Sequence, residues 1–448
     1  MSGMLSRREW MAGAMAAGAA AQTRPSTTRK PNIILFLADD LGCHDLGCWG
    51  AADLKTPHID ALAAGGTRFT NWYAAAPVCA PSRASLLTGR HPIRCGVPDN
   101  GPALPPEEQT IGTVLKRAGY ATGLFGKWHL GSTPETVPNA HGFDRFFGFH
   151  SGCIDYFSHR FYWGENYHDL WRDRTEVFAD GQYSTELFTR EAVQFVRDHR
   201  AEPFYCHVPY NAVHYPMHAP RKYVERFASL APERQMYAAM LSCVDDGVGQ
   251  VVDTLRELRL VENTLIIFTA DNGATRETRA GLNGKAATAG SNQPFRGNKF
   301  SAFDGGMHVP MLMHWPGVVA KGRVSETVGS HLDLLPTIAH AAGAGLAPGR
   351  ILDGFDALAS AYRGHDAIFW SIGGQLAVRR GNWKLVKDGK THDGTTAGEK
   401  ALTGDDAIFL SNLAEDPGES VNLRHRYPQI ADELLTLTQN WLAEVKQK

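Results

Sequence analysis

The residues best equipped for chemistry fall in a few short runs. The densest is Pro77-Val-Cys-Ala-Pro-Ser-Arg-Ala-Ser-Leu-Leu-Thr-Gly-Arg90. Pro81 has no N–H to lose and suits the first turn of a helix, and Gly89 suits its C-terminal stop. Cys79 is then expected just before the helix, where unpaired N–H groups and the helix dipole favour an anion or a thiolate. Taken alone, such a cysteine is more often a buried structural thiol. Two other runs carry oxygen donors, Asp39-Asp40-Leu41-Gly42 and Asp271-Asn272-Gly273. Adjacent carboxylates repel unless a cation or solvent stabilises them, and an all-oxygen donor set suits Ca²⁺ or Mg²⁺. Gly126-Lys-Trp-His-Leu-Gly131 supplies Lys127 and His129, which alternate and would face one side of an extended chain. His214 and Lys299 close two further loops, Pro209-Tyr-Asn-Ala-Val-His214 and Pro294-Phe-Arg-Gly-Asn-Lys299.

The elements that must position these groups are buried strands. Residues 32–38 and 264–270 are unbroken apolar runs of strand length, the pattern of central strands covered on both faces. Each ends at one of the oxygen-donor runs, and strands over 120–125 and 203–208 lead to Lys127 and toward His214. An open α/β sheet places its ligands at such carboxyl ends. Amphipathic helices are expected over 56–64, 110–118, 184–200 and 233–259, and a further helix over 331–342. A Gly/Ala-rich connection at 343–360 is followed by shorter strands at 367–371, 375–380 and 383–386, an antiparallel pattern, and by a helix at 428–445. The expected organisation is a leader at 1–31, a large domain at 32–350 and a small one at 351–448. Residues 142–182 are rich in aromatic and histidine side chains, of the kind that meet sugar rings, and His159 and Arg160 are candidate cleft residues.

Bulk properties narrow the function further. Lys+Arg number 45 against 47 Asp+Glu, a formal net charge of −2, so no global field favours nucleic acid or an anionic membrane. The seven cysteines show no paired Cys-x-x-Cys spacing, which leaves buried free thiols as the default. Ser6-Arg-Arg-Glu-Trp-Met11 precedes an Ala/Gly/Met run at 12–21 with Ala19-Ala20-Ala21 as a small-residue cleavage site. This reads as a twin-arginine export signal, hence a periplasmic or secreted protein, and the run is too short to span a membrane.

The string around Cys79 resembles the type I sulfatase signature, Cys-x-Pro-Ser-Arg with a downstream Thr-Gly-Arg, in which the cysteine becomes formylglycine. Gly126-Lys-Trp-His-Leu-Gly131 matches a second motif of that family, and Asp416-Pro417, Glu419 and Asn422-Leu423 match its carboxyl-terminal region. The resemblance implies an alkaline-phosphatase-like fold: a large α/β domain with a mixed central sheet, plus a small antiparallel domain. It implies Ca²⁺, in preference to Mg²⁺, held by Asp39, Asp40, Asp271, Asn272 and the modified Cys79. Arg83 would hold the hydrated formylglycine, Lys127 and Lys299 would clamp sulfate, His214 would protonate the leaving alcohol, and His129 would take the proton that restores the aldehyde. The implied partners are a sulfated carbohydrate and a formylglycine-generating maturation enzyme, with no nucleic acid. Asn292–Lys299 and Gly152–His159 look most like the arylsulfatase B, or N-acetylgalactosamine-4-sulfatase, branch. The family's Glu-Gly-Gly-x-Arg-Val-Pro appears as Asp304-Gly-Gly-Met-His308-Val-Pro310, which makes His308 a candidate substrate residue. A phosphoester or phosphonate hydrolase on the same fold is the competing reading.

Overall fold

The computed structural model describes residues 29–281, 285–392 and 399–446. The export signal read from residues 6–21 lies outside the described residues. Among those described, no helix is long and apolar enough to cross a membrane.

The chain begins with β1 (Asn32–Ala38), α1 (Pro57–Gly65), β2 (Thr67–Phe69), β3 (Trp72–Tyr73), α2 (Cys79–Thr88) and α3 (Ile111–Arg117). It continues through β4 (Ala121–Lys127), β5 (Arg145–Phe149), the short β6 (Trp171–Arg172) and β7 (Thr175–Glu176), α4 (Ser184–Asp198) and β8 (Phe204–Pro209). Next come α5 (Arg221–Val224), α6 (Pro232–Glu257), β9 (Thr264–Ala270), α7 (Asp304–Met307), β10 (Met311–His314), β11 (Arg323–Ser325), β12 (Gly329–Ser330) and α8 (Leu334–Ala342). The remainder holds β13 (Ala367–Ile372), β14 (Gln375–Arg380), β15 (Trp383–Lys387), β16 (Lys390–His392), β17 (Glu399–Ala401), β18 (Ile408–Asn412) and α9 (Pro428–Val445).

Ten strands form one sheet in the order β11-β2-β10-β9-β1-β8-β4-β5-β6-β7. Its centre is parallel: β1 lies between β8 and β9, and β4 lies between β8 and β5. β10 runs antiparallel to β9, which makes the sheet mixed, as expected. Every residue of β1 and β9 is buried, the burial that their unbroken apolar sequences demand. The helices α1, α4 and α6 pack together with the sheet, and α2, α3 and α8 form a second group.

The parallel arrangement has a direct consequence: β1, β4, β8 and β9 all deliver their carboxyl ends to one edge. Two glycines allow β4 to fit there. A side-chain carbon on Gly126, whose φ is +142°, would sit 2.0 Å from the Pro209 carbonyl oxygen, and one on Gly148 would sit 1.8 Å from that of Gly126.

The later strands β13-β14-β15-β18 form a separate antiparallel sheet, as their shorter, alternating sequences predict. One face packs on α9 through Val378, Leu385, Leu410, Ala431 and Leu434. The other buries Ile368, Trp370, Val386 and Phe409 against Tyr73, Phe303 and Met307 of the large body. A charged cluster lies between them: Lys384 Nζ is 2.6 Å from Asp304 Oδ1 and 3.2 Å from Glu419 Oε1, all fully buried.

Candidate active site

The site assembles where the parallel strands end. Asp39 and Asp40 follow β1, Lys127 ends β4, His214 follows β8, and Asp271 and Asn272 follow β9. Helix α2 starts at Cys79 itself, with Val78 as its extended N-cap, so the cysteine opens the first turn and does not precede it. Gly89 stops that helix with a left-handed φ of 64°, as its sequence predicts.

The side chains converge into one buried network. Lys127 Nζ lies 2.7 Å from Asp39 Oδ2, and Lys299 Nζ 3.0 Å from Asp40 Oδ2. Arg83 Nη2 is 2.7 Å from Asp271 Oδ2 and 3.6 Å from Asp39 Oδ1. Cys79 Sγ is 3.5 Å from Asp39 Oδ1, and His214 Nε2 is 3.7 Å from Asp40 Oδ2. Asn272 Nδ2 donates to Asp40 Oδ1 at 2.8 Å, and the Asp40 N–H donates to Asp271 Oδ1 at 3.1 Å. Asp40 itself takes a left-handed backbone, φ 58°, which turns its carboxylate back toward Asn272.

These neighbours set the protonation states. Burial pushes Asp39 up, but Lys127, Arg83 and Lys299 prevail and hold it below the usual carboxylate range. Asp40 is pushed up to about 7 by burial and by the charges of Asp39 and Asp271, against the pull of Lys299. His214 and His129 are both held well below the usual imidazole range, first by burial and then by the surrounding lysines, so both rings are neutral. The Cys79 thiol is raised well above its ordinary value by burial, which outweighs Lys127 and Lys299. The thiolate expected at the helix start is thus not favoured, because the helix end is dry. An unmodified Cys79 here is a weak nucleophile.

A divalent cation fits this site. Asp39, Asp40, Cys79 and His214 place ligand atoms within 4.8 Å of one another. Asn272 Oδ1 is buried with no hydrogen-bond partner among the described residues, an amide oxygen left to a ligand outside the chain. Asp271 is engaged by Arg83 and by the backbone of Asp40, so the oxygens nearest to hand are those of Asp39, Asp40 and Asn272. Hard oxygen donors of this kind suit Ca²⁺ or Mg²⁺.

His129 has a left-handed φ of 60°, so it does not continue the strand of Lys127. Its Nε2 would meet a side-chain carbon on Gly152 at 2.6 Å, which keeps the ring against a glycine wall near the cations. Three other candidates lie elsewhere. His159 is buried, with Nε2 3.0 Å from the Gln182 carbonyl oxygen, so it braces the aromatic loop. Arg160 is exposed and donates to the Asn166 carbonyl at 3.1 Å. His308 is buried, stacked 4.0 Å from Phe295 and 2.7 Å from the Thr70 carbonyl oxygen, a packed position next to Asp304. The residues that the sequence did not single out are Glu277 and Tyr215. Glu277 Oε2 lies 3.6 Å from Lys299 and the Tyr215 hydroxyl donates to Glu277 at 3.2 Å. Neither sits in a run with a readable period.

A buried cluster of acids, amide oxygen and cations at the carboxyl ends of a mixed α/β sheet defines a hydrolase of the alkaline-phosphatase-like class, built for anionic esters. The chain belongs to the sulfatase family, whose model matches residues 31–344. It is 36% identical to human arylsulfatase A over 461 residues, covering 92% of this chain and 85% of that protein. It is 32% identical to N-acetylgalactosamine-6-sulfatase of Sus scrofa, covering 92% and 85%. Among solved structures, Ps i-CgsB in complex with k-i-k-neocarrahexaose superposes with a TM-score of 0.81 at 32% identity, over 92% of this chain and 93% of that one. The phosphonate monoester hydrolase of Agrobacterium radiobacter, at 21% identity and a TM-score of 0.65, shares the fold alone. Arylsulfatase and N-acetylgalactosamine-sulfatase relatives accord with the resemblance carried by the motifs.

Proposed function

We propose that this sulfatase removes sulfate from a sulfated carbohydrate, using a formylglycine made from Cys79 and a bound Ca²⁺, outside the cytoplasm. The observation that carries the reading is the convergence of Lys127 and Lys299 on Asp39 and Asp40 beside Cys79, a pocket of fixed positive charge against a ready cation site. In this reading residues 32–350 form the catalytic body and residues 351–448 support it. The carbohydrate class is supported by relatives named for N-acetylgalactosamine sulfates and by a neighbour that holds a neocarrahexaose.

When bound, the cation offsets the acidic cluster and withdraws charge from a sulfate oxygen. Asp39, Asp40, Asn272 and the modified residue 79 would hold it, with Asp271 also available if Arg83 released it. Hydrated formylglycine offers an oxygen nucleophile where the thiol is protonated and weak. Lys127 and Lys299 grip the sulfate oxygens, where preformed charge stabilises the transition state most. Arg83, anchored on Asp271, stands behind residue 79 and favours its anionic form. His214 Nδ1 donates to the Tyr215 carbonyl oxygen at 2.7 Å, which fixes the ring with Nε2 turned to the pocket. The ring is the proton donor for the departing alcohol once Nε2 also takes up a proton, which a bound sulfate favours by offsetting Lys299 and Lys127. His129, neutral beside three cations, is the base.

The test is mass spectrometry of the Cys79 peptide from protein coexpressed with a formylglycine-generating enzyme, with turnover of matched aryl sulfate and aryl phosphate esters. We expect the formylglycine mass and a preference for sulfate. An unmodified cysteine, under conditions that convert a control sulfatase, would overturn the reading. A preference for the phosphate ester would turn it to phosphoester hydrolysis.

A further inference from the structure

The loop after Asn272 brings a second cation to the edge of the sulfate clamp. Glu277 is its hub: Lys299 lies 3.6 Å from Oε2, and Arg279 Nε donates to Oε1 at 2.8 Å, with a second, shorter bond from Nη2. Tyr215 donates its hydroxyl to the same carboxylate. The Arg279 guanidinium is also held between two aromatic rings, 4.2 Å from the centre of Trp163 and 5.0 Å from that of Tyr215. Its Nη1 has no hydrogen-bond partner among the described residues. Trp163 is 56% exposed.

Glu277 meets both Lys299, which Asp40 also holds, and Arg279, whose guanidinium keeps one edge clear for a further anion. An arginine fixed by stacking and by a carboxylate has already lost its rotamer freedom, and its free edge can meet a planar or tetrahedral anion at little further cost. The exposed indole beside it offers an apolar face of the size of a sugar ring. Lys299 and Arg279 meet opposite oxygens of the Glu277 carboxylate, so anions bound to both would be neighbours.

Resting on the carbohydrate sulfatase reading above, we propose that Trp163 and Arg279 form a second anion subsite. It binds a further sulfate or carboxylate of the saccharide, so that the enzyme selects polyanionic chains over singly sulfated ones.

The experiment uses the matured full-length enzyme turning over 4-nitrophenyl sulfate, with chondroitin disaccharides bearing one or two sulfates as competitors. The disulfated competitor is expected to bind about tenfold or more tightly than the monosulfated one, as a second charge-assisted contact allows. Arg279→Gln should cut that ratio to about threefold or less, Arg279→Lys should recover only part of it because lysine keeps the charge but not the stacked planar fork, and Trp163→Ala should weaken both competitors. A ratio near one in the wild type, or one untouched by Arg279→Gln in protein with a native melting curve, would overturn the subsite alone. No turnover of the aryl sulfate by wild-type enzyme carrying formylglycine would overturn the sulfatase reading, and this inference with it.

Discussion

The working side chains are tied to one another before any substrate arrives. Lys127 and Lys299 are each held by an aspartate, so binding of sulfate exchanges one anion for another on each lysine and frees carboxylates suited to a cation. His214 matters most where the leaving group is poor. His214→Ala should lower kcat by about 10²–10⁴ on a sugar sulfate, whose alkoxide needs a proton, and far less on an aryl sulfate with an acidic phenol. Equal losses on both substrates, in paired steady-state assays, would remove His214 from the proton-donor role. Asn272 gives a second check at this scale. Its buried Oδ1 is the donor left without a partner, so Asn272→Ala should weaken cation affinity by tenfold or more, read by calorimetric titration of chelator-stripped protein with Ca²⁺.

At the scale of elements, the site depends on how closely β4 approaches β8. A methyl group on Gly126 would strike the Pro209 carbonyl and would also need a backbone angle that alanine avoids. Gly126→Ala should therefore cost about 2 kcal/mol or more in urea unfolding and should reduce turnover, since Lys127 is the next residue. A variant of unchanged stability would mean that the two strands can part without loss. The core strands were legible because burial on both faces forces an unbroken apolar run, as in Asn32–Ala38 and Thr264–Ala270. The strand ends then located Asp39, Asp40, Lys127, Asp271 and Asn272. What the sequence hid is set by packing between distant segments. His308 reads as a candidate substrate residue until Thr70 and Phe295 enclose it, and His159 as a candidate cleft residue until Gln182 does. Glu277 and Arg279 sit in a loop with no periodicity, and only its placement against Tyr215 and Lys299 gives them meaning. Cys79 lies in the first helical turn where its sequence puts it just ahead of the helix, and its protonation state follows from dryness around the helix start, which composition does not disclose.

At the scale of the whole molecule, the small sheet is joined to the large body through buried charge. Lys384→Met would leave Asp304 and Glu419 together without their cation, a loss of about 3–5 kcal/mol in urea unfolding. Glu419 also makes the junction sensitive to pH. Burial, with the Asp304 charge added and Lys384 opposing, pushes its carboxyl up to about 7 from an ordinary 4.5. A folded-state value above the unfolded one gives stability that is full below pH 4.5 and is lost as pH rises through 7. Between pH 5 and pH 8 this group should remove on the order of 2 kcal/mol, and Glu419→Gln should abolish that slope. Unfolding curves with the same slope in wild type and variant would assign it elsewhere. The same small sheet reaches the active site. Gln375 accepts from the Ala302 N–H at 3.1 Å and donates to the Phe300 carbonyl at 2.7 Å, bracing the loop that carries Lys299. The chain is made from its amino end, and about 300 residues separate Cys79 from Gln375. At ordinary translation rates that is an interval of roughly 15–60 s. Through it the wall over Cys79 lacks its brace, so any enzyme that must reach that sulfur meets an open chain for longest before the last strands arrive.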